Sequence, residues 1–366
     1  MAEHRIERVE LFPVRIPYPR PVQWAGLAED AADYMVLRLV TDSGIDGVAE
    51  GTVKTTWTST TLRSLAVAFE ELFMPGLKGL DIDDEKAVAA LWRPREHSLA
   101  KAMIDVALWD IHAQVAAKPL WQLWGGRVEA AVSWVVTRQS PTRMAAEAAD
   151  MVTRYGFGTL KVKGGQGMAT DVAVISEIRA AVGDGVRIYV DPNQEYTPEQ
   201  APDYCRRLAE LGVLMVEDPC PYLPDAAFAR LQADCALPIL VDNTCRDFPS
   251  ARLYIERGAQ AINLKLLKAR GYTENWRIAR HAAAHNVDVN IGLFGESSLG
   301  ALAALQISAA LPRLRYDLPS EATLFLLLPD EYVHEPLRVR DGRIRLPDAP
   351  GFGRMVDWDK VRRLAP

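Results

Sequence analysis

The sequence predicts an α/β protein: a (β/α) barrel preceded by a small α+β unit and followed by a short β tail. Three observations predict it. Eight short apolar runs alternate with helical segments through the middle of the chain. Carboxylates and lysines recur at the ends of those runs, about one strand–helix unit apart. The segments before residue 125 and after residue 325 follow a different pattern from the middle.

Residues 5–16 and 34–51 alternate and are rich in β-branched side chains, with turn signals at Asp42–Gly44 and Asp46–Gly47. A small antiparallel sheet is expected there. Residues 58–73 and 84–117 have helical periodicity; Met103, Val106, Ala107 and Asp110 fall on adjacent turns. Strands followed by helices make residues 1–125 an α+β capping unit, ending near the turn at Gly125–Gly126. The barrel is placed over residues 126–325. Its strands read as AVSWVV, TLKVK, VRIYVD, VLMVED, LPILVD, AINLK, VDVNIG and LRYDL. Helices are expected at about 142–155, 170–182, 198–211, 225–235, 249–257, 273–285 and 298–310. A doubly wound open sheet shows similar alternation. Over 326–366, LRVRDGRIRL carries a hairpin turn at Asp341–Gly342 and PDAPGFG follows, a tail expected to pack back on the first unit.

Composition bounds the function. The chain has 366 residues, 49% hydrophobic and 25% charged, enough for a large core. Lys plus Arg number 42 against 48 Asp plus Glu, a net charge of −6, which argues against a nucleic-acid partner. No apolar run reaches the roughly 18 residues of a membrane span, and MAEHRIERVE has no apolar leader core. A cytoplasmic protein without a membrane partner is expected. Cys205, Cys220, Cys235 and Cys245 form no CxxC pair and read as reduced thiols. His281 and His285 lack the Glu of HExxH, Gly164–Gly167 lacks GxGxxG, and no GxSxG elbow occurs.

The charges at the strand ends point to chemistry. VRIYVD ends in Asp191, VLMVED in Glu217 and Asp218, and LPILVD in Asp242. Asp191 to Glu217 is 26 positions and Glu217 to Asp242 is 25, so three consecutive strands each deliver a carboxylate to one rim. Clustered carboxylates repel unless a cation neutralises them, and an all-oxygen set suits Mg2+, with Mn2+ also accepted. The alternative is that each caps the following helix or pairs with an Arg. The preceding strand ends Lys161-Val162-Lys163 and the following one Asn263-Leu264-Lys265. Lys161 and Lys163 point the same way in an extended strand. A neighbouring cation and burial both move a lysine towards the range useful for base catalysis. Lys163 and Lys265 flank the carboxylate trio and could address two faces of one substrate; the alternative is that they are only its structural partners.

Taken together, Lys161-Val-Lys163, Asp191-Pro-Asn193, Val216-Glu217-Asp218-Pro219, Val241-Asp242-Asn243 and Asn263-Leu-Lys265-Leu-Leu-Lys268 resemble the enolase superfamily, specifically its muconate lactonizing enzyme subgroup. The resemblance runs over nearly the whole chain and implies a modified TIM (β/α) barrel with an N-terminal α+β capping domain completed by the C-terminal tail. It implies that Asp191, Glu217 and Asp242 are Mg2+ ligands. It also implies that Lys163 is an acid/base tuned by Lys161, and that Lys265 is the opposed acid/base. The implied reaction removes a proton α to the carboxylate of a small-molecule substrate, giving a metal-stabilised enolate. Muconate-type cycloisomerisation is placed first; racemisation or epimerisation of an N-substituted amino acid or betaine, and dehydration of a β-hydroxy acid, are alternatives. A non-catalytic, metal-stabilised binding module is the alternative of another class. Glu296, in Phe294-Gly-Glu296-Ser-Ser, matches the muconate-type signature and is expected to touch the substrate or orient Lys265. Asp317 is expected at the end of the eighth strand, where dipeptide epimerases carry Asp-x-Asp and Pro319 here takes the second place. Two front loops, about 18–30 and 51–59, are expected to cover the substrate with Trp24, Lys54 and Trp57. A homo-oligomer is expected from the same resemblance.

Overall fold

The computed structural model describes residues 4–24 and 27–366, without the side chains of Trp24 and Leu27. At its front, three antiparallel strands are ordered β1 (Ile6–Trp24), β2 (Leu27–Thr41) and β3 (Asp46–Val53). The expected second strand segment is thus two strands, joined by a turn in which Gly44 adopts φ +80°. The β1–β2 ladder runs well past residue 16, but its register shifts between Pro17 and Val22. Pro17, Pro19 and Pro21 have no N–H to give to a ladder there.

The helix Ser98–Val115 is apolar on nearly every side, and 13 of its residues are buried, from Leu99 to Ala113. An all-round apolar helix has to be enclosed; here β2, β3 and the barrel helix Tyr272–Ala284 pack around it. The approach to β3 is close. A Cβ at Gly47 would lie 2.1 Å from the Ala107 carbonyl oxygen, and one at Gly51 2.4 Å from the Met103 sulfur. Only glycine fits at Gly47, where the obstacle is backbone; at Gly51 a larger residue would displace the Met103 side chain.

After the short strand β4 (Glu129–Ala131) comes a parallel, sequentially ordered sheet. Its strands are β5 (Trp134–Val136), β6 (Thr159–Lys163), β7 (Arg187–Asp191), β8 (Val216–Glu217), β9 (Ile239–Val241), β10 (Ala261–Leu264) and β11 (Asp288–Ile291). Helices alternate with them, Pro141–Tyr155, Met168–Val182 and Phe248–Glu256 among them, within a few residues of the expected limits. The sheet has seven laddered strands, not eight. LRYDL forms no strand, because Asp317 takes φ +42° and Pro319 offers no donor. The gap is closed just beyond. Ser320 N donates to Ala131 O, Ser133 N to Ser320 O, and Glu321 N to Ile291 O, at 3.0, 2.8 and 2.9 Å.

The tail forms β12 (Val339–Arg340) and β13 (Arg343–Arg345), turning at Asp341–Gly342 and pairing with β4. It then reaches the front: Phe352 N donates to Asp110, and the Trp358 ring sits 5.2 Å from that of Phe12. Among the described residues no helix is long and apolar enough to cross a membrane.

Candidate active site at the barrel mouth

Parallel strands in register bring their last residues to one rim. Lys163 is paired across the ladder with Asp191, and Glu217 with Leu240, one residue short of the end of β9. Asp191, Glu217, Asp242, Lys161, Lys163 and Lys265 are all buried at this end; Lys265, the most open, is 8% exposed. Charges this deep have to be paired.

Lys161 Nζ lies 3.2 Å from Asp191, 2.7 Å from Glu217 and 3.0 Å from Glu321. Lys163 donates to Asp191 at 2.6 Å and to Asn193 at 3.2 Å. Lys265 and Lys268 each donate to Asp242 at 2.6 Å, one to each oxygen. Four lysines thus face four carboxylates. Burial opposes the charge on Lys161, but Glu217, Glu321 and Asp191 outweigh it and hold its pKa well above the usual range. Lys163 moves the other way: burial lowers it, Lys161 adds to the effect, and Asp191 only partly offsets them. Burial likewise opposes the charge on Lys265, but Asp242 outweighs it and raises the pKa. Asp191, despite burial, is held down to about 2 by Lys163 and Lys161.

Lys161, Lys163 and Lys265 wall one cavity of about 150 Å3, together with Asp242, Glu321 and Trp57. Trp57 and Phe294 meet edge to face at 5.7 Å, and the Lys265 ammonium is 5.7 and 5.9 Å from their ring centres. The loops behind the lysines are tied down. Arg138 donates to Gly164 O at 2.6 Å and Pro192 O at 3.1 Å, joining the loops after β6 and β7. Asp171 accepts from Gly165 N, Gln166 N and the hydroxyls of Tyr196 and Tyr204 at 2.6–3.0 Å. The glycine-rich stretch after β6 is therefore a fixed βα loop.

Other expected substrate contacts lie elsewhere. Glu296 is buried and turned back on its own loop, accepting from Phe294 N and Gly295 N, so it shapes the loop carrying Phe294 instead of pairing with Lys265. Burial pushes its pKa up to about 7. Lys54 is buried against Glu29, joining the two front loops, and does not line the lysine cavity. The Trp24 side chain lies outside the described residues. Asp317 sits at the far end of the barrel, where Arg187, the first residue of β7, donates to its carbonyl and Arg313 to its carboxylate. The placement of Asp317 at the mouth is corrected: the chain crosses from one end of the barrel to the other through Pro319 and Ser320. The eighth-strand residue that arrives at the mouth is Glu321, which the sequence reading missed. Besides Lys161, it accepts from Tyr189, Asn263 and Asn290 at 2.8–3.1 Å. Its signal was position: it follows the apolar run of the eighth unit as Lys265 follows that of the sixth.

The donor set at the rim suits a hard dication. Asp191, Glu217 and Asp242 offer only carboxylate oxygens, and Glu217 Oε2 is buried with the Lys161 ammonium, at 2.7 Å, as its one neighbour of opposite charge among the described residues. As they stand, the carboxylates are turned to the lysines, and among the described residues no three acidic, His or Cys side chains converge on one point as a ready-made ion site.

Comparison with known proteins agrees with this architecture. Residues 7–125 match the family described as mandelate racemase / muconate lactonizing enzyme, N-terminal domain, and residues 143–360 the enolase C-terminal domain-like family. The chain is 30% identical to a chloromuconate cycloisomerase of Pseudomonas putida, covering 98% of this chain and 99% of the other. It is also 30% identical to the L-Ala-D/L-Glu epimerase of Bacillus subtilis (strain 168), over 95% and 96% of the two chains. A crystal structure of muconate lactonizing enzyme from Mucobacterium smegmatis complexed with muconolactone superposes with a TM-score of 0.93 at 28% identity, over 99% and 100% of the chains. The relatives include both cycloisomerases and epimerases, and the chain belongs to the mandelate racemase / muconate lactonizing enzyme group of the enolase superfamily.

Proposed function

We propose that this chain is a Mg2+-dependent isomerase that delivers or removes the proton α to a substrate carboxylate, with muconate-type cycloisomerisation as its leading reaction. The observation that carries this reading is the single cavity walled by both Lys163 and Lys265. Asp191, Glu217 and Asp242 would hold the metal. When bound there, Mg2+ supplies stabilisation for the negative charge that develops on the substrate carboxylate; Mn2+ fits the same donors.

The remaining roles belong to the chain's own groups. Lys163 moves the α-proton at its Nζ. Lys161, fixed by three carboxylates, stays an ammonium and holds positive charge beside the reacting carboxylate. Lys265 faces the substrate from the other wall as electrostatic support. Trp57 and Phe294 exclude water on that side. Racemisation or epimerisation is the second reading, favoured by the placement of both Lys163 and Lys265 on one cavity.

Incubation with Mg2+ in heavy water and a pool of carboxylates tests the proposal: cis,cis-muconate, N-acyl amino acids, betaines and hydroxy acids, followed by proton NMR. One component should convert or lose its α-proton signal, and Lys163→Ala should slow this by about 10²–10⁴. Undiminished turnover in Lys163→Ala would overturn the role of Lys163. Lys265→Ala separates the two reactions: exchange surviving on one face only supports the two-base racemase.

A further inference from the structure

Lys163 is the last residue of β6, and its position depends on two loops at once. Its backbone leads into the stretch after β6. Both partners of its ammonium, Asp191 and Asn193, belong to the end of β7 and the loop behind it. The ladder between the two strands stops at this point. Lys163 is paired with Asp191, and Gly164 N donates to Asp191 O at 3.0 Å. Further out, the ladder holds neither loop.

Arg138, just past the end of β5, takes over there. It is only 9% exposed, and its Nε donates to Gly164 O at 2.6 Å and its Nη2 to Pro192 O at 3.1 Å. Gly164 and Pro192 directly follow Lys163 and Asp191, so one planar, rigid group spans the same step of both loops. Asp171 grips the other end of the first of these peptides: Gly165 N, in the same peptide unit as Gly164 O, donates to it at 2.6 Å. Glycine makes room for this. At φ +81°, a Cβ on Gly165 would lie 2.4 Å from Arg138 Nη2 and 2.6 Å from Pro192 O. A buried guanidinium is a costly tie, because carbonyls do not neutralise it and its carboxylate partner Glu195, at 3.3 Å, is 43% exposed. An apolar side chain would fill the space without that cost, but it would fix neither carbonyl.

We infer that Arg138 is a positioning residue: by tying the two loops together it holds Lys163 and Asp191 at the separation the reaction uses. The backbone of the proton-moving group lies in one loop and the partners of its ammonium in the other, so a slip between the loops displaces Nζ. The inference deepens the proposed function and rests on it for the roles of Lys163 and Asp191.

Arg138→Met and Arg138→Lys test it on the full chain, by amide hydrogen exchange, by calorimetry with Mg2+ alone, and by kinetics on the carboxylate that turns over. In Arg138→Met, exchange over 163–167 and 191–195 should rise together by about 10-fold, the effect of losing roughly one hydrogen bond, while the barrel strands keep their protection. Mg2+ should bind about 10-fold more weakly, because the loop behind Asp191 is no longer held. The value of kcat should fall about 10²-fold with KM changed by less than about threefold, as misplacement of a reacting group predicts. Arg138→Lys keeps a donor for one carbonyl and should recover part of each loss; if Arg138→Met does not fold, Arg138→Lys must show the same changes at smaller size. Wild-type exchange in either loop, loosened loops with wild-type Mg2+ affinity, or a raised KM at unchanged kcat would each overturn the inference. The two proposals fail separately. If the wild type turns over no carboxylate, the isomerase reading falls, and exchange with Mg2+ affinity still decides whether Arg138 sets the two loops.

Discussion

The molecule buries carboxylates in two places and treats them in opposite ways. At the barrel mouth Asp191, Glu217, Asp242 and Glu321 face four lysines. Between the front unit, the barrel and the tail, Glu50, Asp105, Asp110 and Glu331 are as deeply buried but meet hydroxyl and amide donors. Glu50 accepts from Ser297, Tyr332 and Thr52; Glu331 from Ser298; Asp105 from Thr273; and Asp110 from Val48 N and Phe352 N. The consequence is electrostatic. Lysines hold Asp191 down to about 2 and Asp242 well below the usual carboxylate range, although burial and the neighbouring Asp191 push Glu217 well above it; away from the lysines, burial pushes Asp105 up to about 6, Glu331 to about 7 and Asp110 to about 8. At similar depth, two lysines apiece favour the anion at Asp191 and Asp242, and their absence favours the neutral acid at Asp110 and Glu331. One region is built to hold charge, and the other to join segments far apart in sequence.

The largest expected difference is at Glu321. Glu321→Ala removes one of three carboxylates around Lys161 and the acceptor of Tyr189 and Asn290, in a buried ionic cluster. A loss of about 3–5 kcal/mol is expected from the urea unfolding midpoint. Glu321→Gln keeps the shape and leaves Lys161 with Glu217 and Asp191, so it should cost less. Equal stability for Glu321→Ala and wild type would mean that the mouth is not held by charge pairing at all.

Asp110 should behave differently, and its pH dependence gives the sign. Its folded pKa of about 8 lies above its ordinary value, so the folded state binds the proton more tightly. Wild-type stability should therefore fall as pH rises from the ordinary carboxyl range towards 8, by at most about 1.4 kcal/mol per pH unit for this one proton. Asp110→Asn removes that slope. It should cost about 1–2 kcal/mol at pH 5, because one of two backbone donors loses its acceptor, and compare progressively better with wild type as pH rises. Parallel stability curves from pH 5 to 8 would show that Asp110 does not titrate in this window.

The sequence made one side of this contrast visible and hid the other. The alternation of apolar runs with 3.6-residue periodicity is a local signal, so helix limits such as Pro141–Tyr155 could be read closely. The charges at the strand ends were equally legible, because each unit repeats about every 25 residues. Partners were not. Periodicity states which face a residue shares; it does not say that Lys54 crosses to Glu29, that Glu296 folds back on its own loop, or that Arg138 ties two βα loops. The first strand extends beyond the expected 5–16: three prolines after Ile16 break its alternation, and β1 resumes past the register shift.

The smallest expected effect sharpens the same point. Read as a regular strand, LRYDL puts Asp317 at the mouth. In the fold, Asp317 has a positive φ, is half exposed and shares an ion pair with Arg313 four residues before it. Such a surface pair contributes at most about 0.5 kcal/mol. Its backbone carbonyl, which receives Arg187, survives any substitution. Asp317→Ala should therefore leave substrate turnover unchanged within error and shift the unfolding midpoint only slightly; Asp317→Asn should be silent in both. A tenfold fall in kcat/KM for Asp317→Ala at normal stability would place this carboxylate in the chemistry and return the strand end to Leu318. The absence of any effect beside a large one at Glu321, four residues on, locates the mouth end of the eighth unit by function.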